Sequence, residues 1–210
     1  MIRIAIASLL LVSGCSTNEV TANNKMTQKV VPLDERTIIS SLGKYTSLAS
    51  NLAELENTSP VIVEVTKNNE KQTVIKESEQ NSMPTEFYTM SSVTIKDIQK
   101  DASSSLKVGD KIEVMENVAT DVLIAGEKRT LTFDYYKKMN IGNSYYLYLR
   151  NSTSGDNYVL TNAFLSKYPV NKEPTNELFL NETSSTHSLE NLDYQDLYED
   201  LYTEILQENK

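Results

Sequence analysis

The 210-residue chain has no tryptophan, one cysteine and one histidine, and each shortage removes a class of chemistry. A lone cysteine cannot close an intrachain disulfide, so stability has to come from packing. The single histidine, His187, lies among Ser184, Ser185, Thr186 and Ser188 with no metal-ligand spacing around it, and reads as a solvated linker residue. There is no Gly-rich phosphate loop. No serine sits in a Gly-x-Ser-x-Gly elbow or in a Ser-x-x-Lys arrangement on a predicted helix. Glu54 and Glu56 form a carboxylate pair, but charged residues at helical spacing read as a solvated face. No catalytic set, metal site or cofactor is therefore expected. Basic residues are also scarce: 20 Lys and Arg stand against 29 Asp and Glu, a net charge of −9. That balance argues against binding nucleic acid, or anionic lipid through a basic patch.

Beyond the first residues no segment is apolar enough to span a bilayer. The beginning differs. Met1-Ile2-Arg3 carries one positive charge, Ile4 to Val12 is apolar except for Ser8, and Ser13-Gly14-Cys15 follows. The run is about half the roughly 20 residues that a membrane span requires, so residues 1–14 read as a signal peptide rather than an anchor. Val12-Ser13-Gly14-Cys15 resembles the lipobox of bacterial prolipoproteins. The resemblance implies cleavage between Gly14 and Cys15 and a diacylglycerol on the Cys15 thiol, which would tether the chain to the extracytoplasmic face of a cell membrane. An unlipidated lone cysteine in an exported protein would be an oxidisable thiol, and lipidation consumes it. The segment Ile4 to Gly14 also resembles the lipoprotein-leader peptides that some Gram-positive bacteria release as mating signals.

Charge is unevenly distributed. Residues 15–170 hold 17 Lys and Arg against 19 Asp and Glu, whereas residues 171–210 hold 2 against 10. Residues 15–33 are polar, lack an apolar period and read as a flexible tether. Residues 34–59 read as a helical lead-in, in which Leu48, Leu52 and Leu55 predict a helix over about 47–55.

From Pro60 to Pro169 short β-branched and aromatic runs alternate with polar turns, the pattern of a small antiparallel barrel or sandwich. Val61 to Thr66 opens the series, and Asn68-Asn69-Glu70-Lys71 reads as a turn into Thr73-Val74-Ile75. Phe87 to Ile98 is the longest predicted strand, with Phe87, Val93 and Ile95 on one face and Tyr88, Met90 and Ile98 on the other. Its length predicts a bend or bulge. Further strands are expected at 111–114, 121–124, 131–133, 145–149 and 157–160. Two of them follow similar phrases, Leu106-Lys107-Val108-Gly109-Asp110-Lys111 and Met139-Asn140-Ile141-Gly142-Asn143-Ser144, in which glycine supplies the positive φ of a tight turn. With the long central strand, these phrases resemble the small OB-like β-barrel domains of lipoproteins from Gram-positive bacteria. The fold class is thus mainly β and OB-like, with a short helix before the barrel and an amphipathic helix at the end.

Residues 170–190 read as a polar linker and 191–210 as an acidic helix. Tyr194, Leu197, Tyr198, Leu201 and Ile205 share one side, with Asn191 as the N-cap. That stripe either docks on the barrel or meets a partner. In the strand around 145–149, Tyr145, Leu147 and Leu149 face the core. Tyr146 and Tyr148 face the other way with Arg150, where they either cover a sheet face or form an aromatic platform for a glycan or peptide. Three functions from different classes stay open. The first is a membrane-tethered, non-catalytic binding module whose partners are the membrane, through Cys15, and an envelope protein or glycan. The second is an envelope hydrolase with a carboxylate pair drawn from distant positions, and the third is a signalling leader peptide.

Overall fold

The computed structural model describes residues 38–41, 43, 48–77, 83–171 and 188–209, with backbone alone over 188–193. All belong to one compact unit, Val31–Lys210. The predicted signal peptide with Cys15, the tether, and most of the linker with His187 lie outside the described residues.

The described residues form nine strands and two helices: β1 Ile38–Ser41, α1 Leu52–Thr58, β2 Val61–Ile75, β3 Glu86–Asp101, β4 Lys111–Glu116, β5 Val118–Ile124, β6 Glu127–Phe133, β7 Ser144–Asn151, β8 Tyr158–Leu160, β9 Lys167–Pro169 and α2 Ser188–Glu208. A 3-10 turn, Ala163–Ser166, joins β8 to β9. Strands pair in the order β2-β3-β4-β8-β7, and β7 pairs back onto β2. All these pairings are antiparallel except β4 with β8. The result is a closed five-stranded ring in the strand order of an OB barrel. Closure leaves these strands without a free edge along the ring. Val61, Val63, Val65, Val93, Ile95, Ile112, Val114, Tyr145, Leu147 and Leu149 fill the interior. Most are β-branched or aromatic, the residue types that pack best on a pleated surface.

β5 and β6 form a hairpin with β1 parallel to β6, a second small sheet beside the far end of the β2–β3 ribbon. Ala119, Val122 and Leu131 form its core, with Val74 and Phe87 of the ribbon packed against them.

Several expectations need correction. Asn68 to Lys71 is not a turn. β2 runs unbroken from Val61 to Ile75, and Asn69 to Ile75 pair with Ser92 to Glu86. A register shift between Lys67 and Asn69 pushes Asn68 out of the ladder, and its side-chain amide donates to Thr94 Oγ1 at 2.9 Å. The polar run marks a solvated strand face rather than a break. β3 does bulge as its length predicted, and the bulge moves Ile98 to the face opposite the one assigned. Ile95 pairs with Val65 and Ile98 with Val63, so both pack on the barrel interior. The lead-in is not wholly helical, since it contains β1, and α1 starts at Leu52. Asn51 is its N-cap, accepting from the Glu54 amide at 2.9 Å, while Glu54 accepts from the Ser50 amide at 3.0 Å. α2 begins at Ser188, so Asn191 lies inside the helix and is not its cap.

The paired glycine phrases do the same job twice. Gly109 has φ +92° and Gly142 φ +87°, both left-handed. The Gly109 amide donates to the Ile95 carbonyl at 2.9 Å, and the Ile95 amide donates back to the Asp110 carbonyl at 2.9 Å. The Gly142 amide likewise donates to the Lys67 carbonyl at 2.8 Å, and the Lys67 amide to the Asn143 carbonyl at 3.0 Å. Each turn is thereby fastened to a bulged position of a long strand and aims the next strand into the ring.

Candidate functional site

The two surfaces singled out in the sequence meet each other. Tyr146 and Tyr148 do face outward from the barrel, opposite Tyr145, Leu147 and Leu149, but they are only 6% and 1% exposed. They share a core with Tyr198, Leu201 and Ile205 of α2, Leu52 and Leu55 of α1, and Tyr168 of β9. Tyr148 meets Tyr168 edge-on at 5.9 Å, and Tyr168 stacks on Tyr198 at 4.7 Å. The Tyr198 hydroxyl donates to the Lys167 carbonyl at 2.8 Å, and that of Tyr202 to the Pro169 carbonyl at 2.7 Å. Burial lifts the phenols of Tyr168 and Tyr198 well above their ordinary range. As an open interaction surface, Tyr146, Tyr148, Tyr198, Leu201 and Ile205 are therefore a correction: the chain's own helix covers the platform, because both faces are apolar and lie within one compact unit. Leu197 is half-buried against the same core, whereas Tyr194 is 42% exposed and touches Phe164 edge-on at 5.5 Å.

A buried polar cluster lies beside this aromatic layer. Lys67 and Glu116 have fully buried side chains, 3.2 Å apart. Glu116 also accepts from the Tyr136 hydroxyl at 2.6 Å, the Met139 amide at 2.7 Å and the Ser91 hydroxyl. Lys67 also donates to Glu70 at 2.6 Å and to the Met139 carbonyl at 2.7 Å, and Lys138 donates to Glu70 as well. The charges are thus matched and hydrogen-bonded, the condition under which ions survive burial. Partial burial pulls the Glu70 carboxyl upward, but the bonds from Lys138 and Lys67 outweigh it and hold the group below its usual value. Burial, followed by the nearby Glu116 charge, pushes the Tyr136 phenol well up. Two carboxylates, Glu70 and Glu116, thus converge from distant positions, with Lys67 bonded to both.

Tyr136 connects this cluster to an open cleft. Its hydroxyl is anchored on Glu116, the Lys167 ammonium lies 4.4 Å from its ring centre, and the ring helps line a cleft of about 230 Å³. Met115 and Asn117 at the end of β4, Val159 and Leu160 of β8, and Arg150 of β7 form one side. Phe133, Tyr136, Thr161, Ala163 and Phe164 complete it. The wall at Thr161–Phe164 is held by Asn162, whose side-chain oxygen accepts from the Ala49 amide at 3.0 Å and whose amide group donates to Thr58 Oγ1 at 3.1 Å.

Arg150 is exposed at the cleft; its guanidinium reaches the Asn151 carbonyl at 3.4 Å and pairs with no carboxylate among the described residues. The Thr161 hydroxyl is shut off from solvent and has no hydrogen-bond partner among the described residues. Three non-glycine residues in or next in sequence to the lining have left-handed backbones: Asp134 at φ 49° and Tyr135 at 55°, between Phe133 and Tyr136, and Ala163 at 51°. Such conformations cost of order 1–3 kcal/mol each and concentrate at ligand clamps. Asp134 is held by accepting from the Gly43 amide at 3.1 Å, and the Tyr135 amide donates to Ser40 Oγ at 2.9 Å. Sequence patterning places Arg150 beside Tyr146 and Tyr148 but does not identify Phe133, Thr161 or Phe164. The available signal was a cation at the end of an aromatic strand.

No group of three or more His, Cys, Asp or Glu side chains is placed to hold a metal ion among the described residues. No protein-family model matches the chain, and no curated protein matches it significantly.

Proposed function

We propose that the chain is a lipid-anchored, extracytoplasmic binding module of a bacterial cell envelope, without catalytic activity of its own. The observation that carries this reading is the position of Cys15. The only cysteine in the chain directly follows a one-charge, apolar leader and the small residues Ser13 and Gly14, where a diacylglycerol would be attached. The polar residues 15–33 would then hold the barrel away from the membrane. The binding part of the proposal is supported by the cleft, whose lining contains one arginine, aromatic rings and aliphatic side chains but no Asp, Glu, His, Cys or Lys. This composition suits holding a ligand better than transferring protons. The membrane is one partner, through the lipid, and an envelope protein or glycan is the other. Glu70 and Glu116 give little support to a hydrolase, because Lys67 is bonded to both and Glu116 is fully buried.

The test is the Cys15→Ala variant expressed in a bacterial host and fed a labelled fatty acid. The expected result is loss of label and accumulation of uncleaved or mislocalised precursor. A variant that still takes up label and stays membrane-bound would overturn the anchor.

A further inference from the structure

We infer that the cleft beside Arg150 is a binding site for a monoanionic carboxylate carried on an apolar or aromatic body. This deepens the binding-module reading and rests on it. Two observations point the same way. Phe133, Tyr136 and Phe164 supply rings to a cleft whose lining is about equally polar and apolar, so the ligand that fits it joins an apolar face to a polar group. A guanidinium without a carboxylate partner among the described residues stands at that wall, and its planar fork matches the two oxygens of a carboxylate.

The charge count sets the class of anion. Arg150 is the only cation among the lining residues, and the chain as a whole carries −9, so a single negative charge is matched whereas a phosphate dianion is left half compensated. At about 230 Å³ the cleft falls below the usual range of roughly 300–1,000 Å³ for ligand pockets. That size admits one ring with a short acid chain or the last residue of a peptide.

The carboxylate has two sources, a free small acid or the C-terminus of a peptide, and the experiment separates them. Full-length protein in detergent is titrated by ligand-observed NMR with 3-phenylpropionate, its neutral amide, the peptide Ala-Ala-Phe, and the same peptide amidated. The expected result is saturable binding of at least one acid, with its amide weaker by about tenfold or more and with Arg150→Gln weakening the acid to a similar degree. A charge-assisted pair worth about 1.5–3 kcal/mol gives this factor, at 1.4 kcal/mol per decade. Arg150→Lys, which keeps the charge but loses the planar fork, is expected to recover part of that loss. Its role as a second variant keeps the test decisive should Arg150→Gln alter the melting temperature. Preference for the free acid or for the peptide identifies the source. Equal affinity for acid and amide, affinity unchanged in both variants, or saturable binding of neither acid overturns the assignment. Fatty-acid labelling of the same preparations is read separately, so loss of the anchor and loss of the ligand site are distinguishable.

Discussion

Strand β7 supplies two cores at once, and they differ in kind. Its Tyr145, Leu147 and Leu149 enter a barrel interior that is otherwise mostly aliphatic, whereas Tyr146 and Tyr148 enter an outer layer crowded with tyrosine rings. The barrel interior is enclosed by strands that hydrogen-bond to one another around the ring. The outer layer is closed by α2, which returns from the far end of the chain. In the outer layer a tyrosine delivers its ring to the core and sends its hydroxyl to a backbone carbonyl at the edge, as Tyr168, Tyr198 and Tyr202 do. An aliphatic core needs only shape, but a tyrosine core also needs its hydroxyls satisfied and uncharged.

Alkaline pH is expected to discriminate most strongly between the two. Tyr136, Tyr168 and Tyr198 are buried phenols with raised folded-state values, against 10.0 in the unfolded chain. Raised acids of this kind stay protonated in the fold while the unfolded chain releases its protons. Stability is therefore complete below about pH 10 and falls as the pH rises from there toward the folded values. With three such groups the slope is about 4 kcal/mol per pH unit. Tyrosinate absorbance should rise in one cooperative step together with loss of far-UV dichroism. Gradual ionisation with the fold intact would contradict the burial.

Leu201→Asp attacks the outer core alone. Leu201 is 2% exposed, and a carboxylate at that contact is expected to cost about 4 kcal/mol. Native-state hydrogen exchange should show the α2 amides of Leu201 and Ile205 losing protection before those of Val93 and Ile95 in the barrel. Equal loss would mean that the two cores are one cooperative unit.

Glu116→Ala tests the charge cluster between them. Removing Glu116 leaves Lys67 buried with Glu70 and the Met139 carbonyl as remaining partners, for a loss of about 3 kcal/mol by urea unfolding. The joint Lys67→Met, Glu116→Leu protein should recover part of that loss. Tyr198→Phe is the mildest change. It removes one hydroxyl bond to the Lys167 carbonyl and keeps the ring, so about 1 kcal/mol is expected in the same measurement.

Patterns with a local cause were readable in the sequence. The alternation Tyr145 to Arg150 sorted inward from outward side chains correctly, since successive Cβ atoms of any strand point to opposite faces. Gly109 and Gly142 marked their turns because a left-handed φ is a property of the residue itself. Readings failed where a distant partner changed the local rule. The polar run from Asn68 to Lys71 has the composition of a turn, yet pairing with β3 extends it as a strand. Ile98 changed face because a bulge, set by register against β2, inserts a residue into the alternation.

The sequence by itself determined a β-rich fold, the two glycine turns and the apolar stripe of α2, because each follows from residue type or from a period of two or 3.6. Only the tertiary structure decided that the Tyr146–Tyr148 face and the α2 stripe would cover each other, since an apolar face specifies burial but not its partner. The same holds for the cleft. Phe133, Arg150 and the Thr161–Phe164 wall lie on three separate segments that come together only when the ring closes.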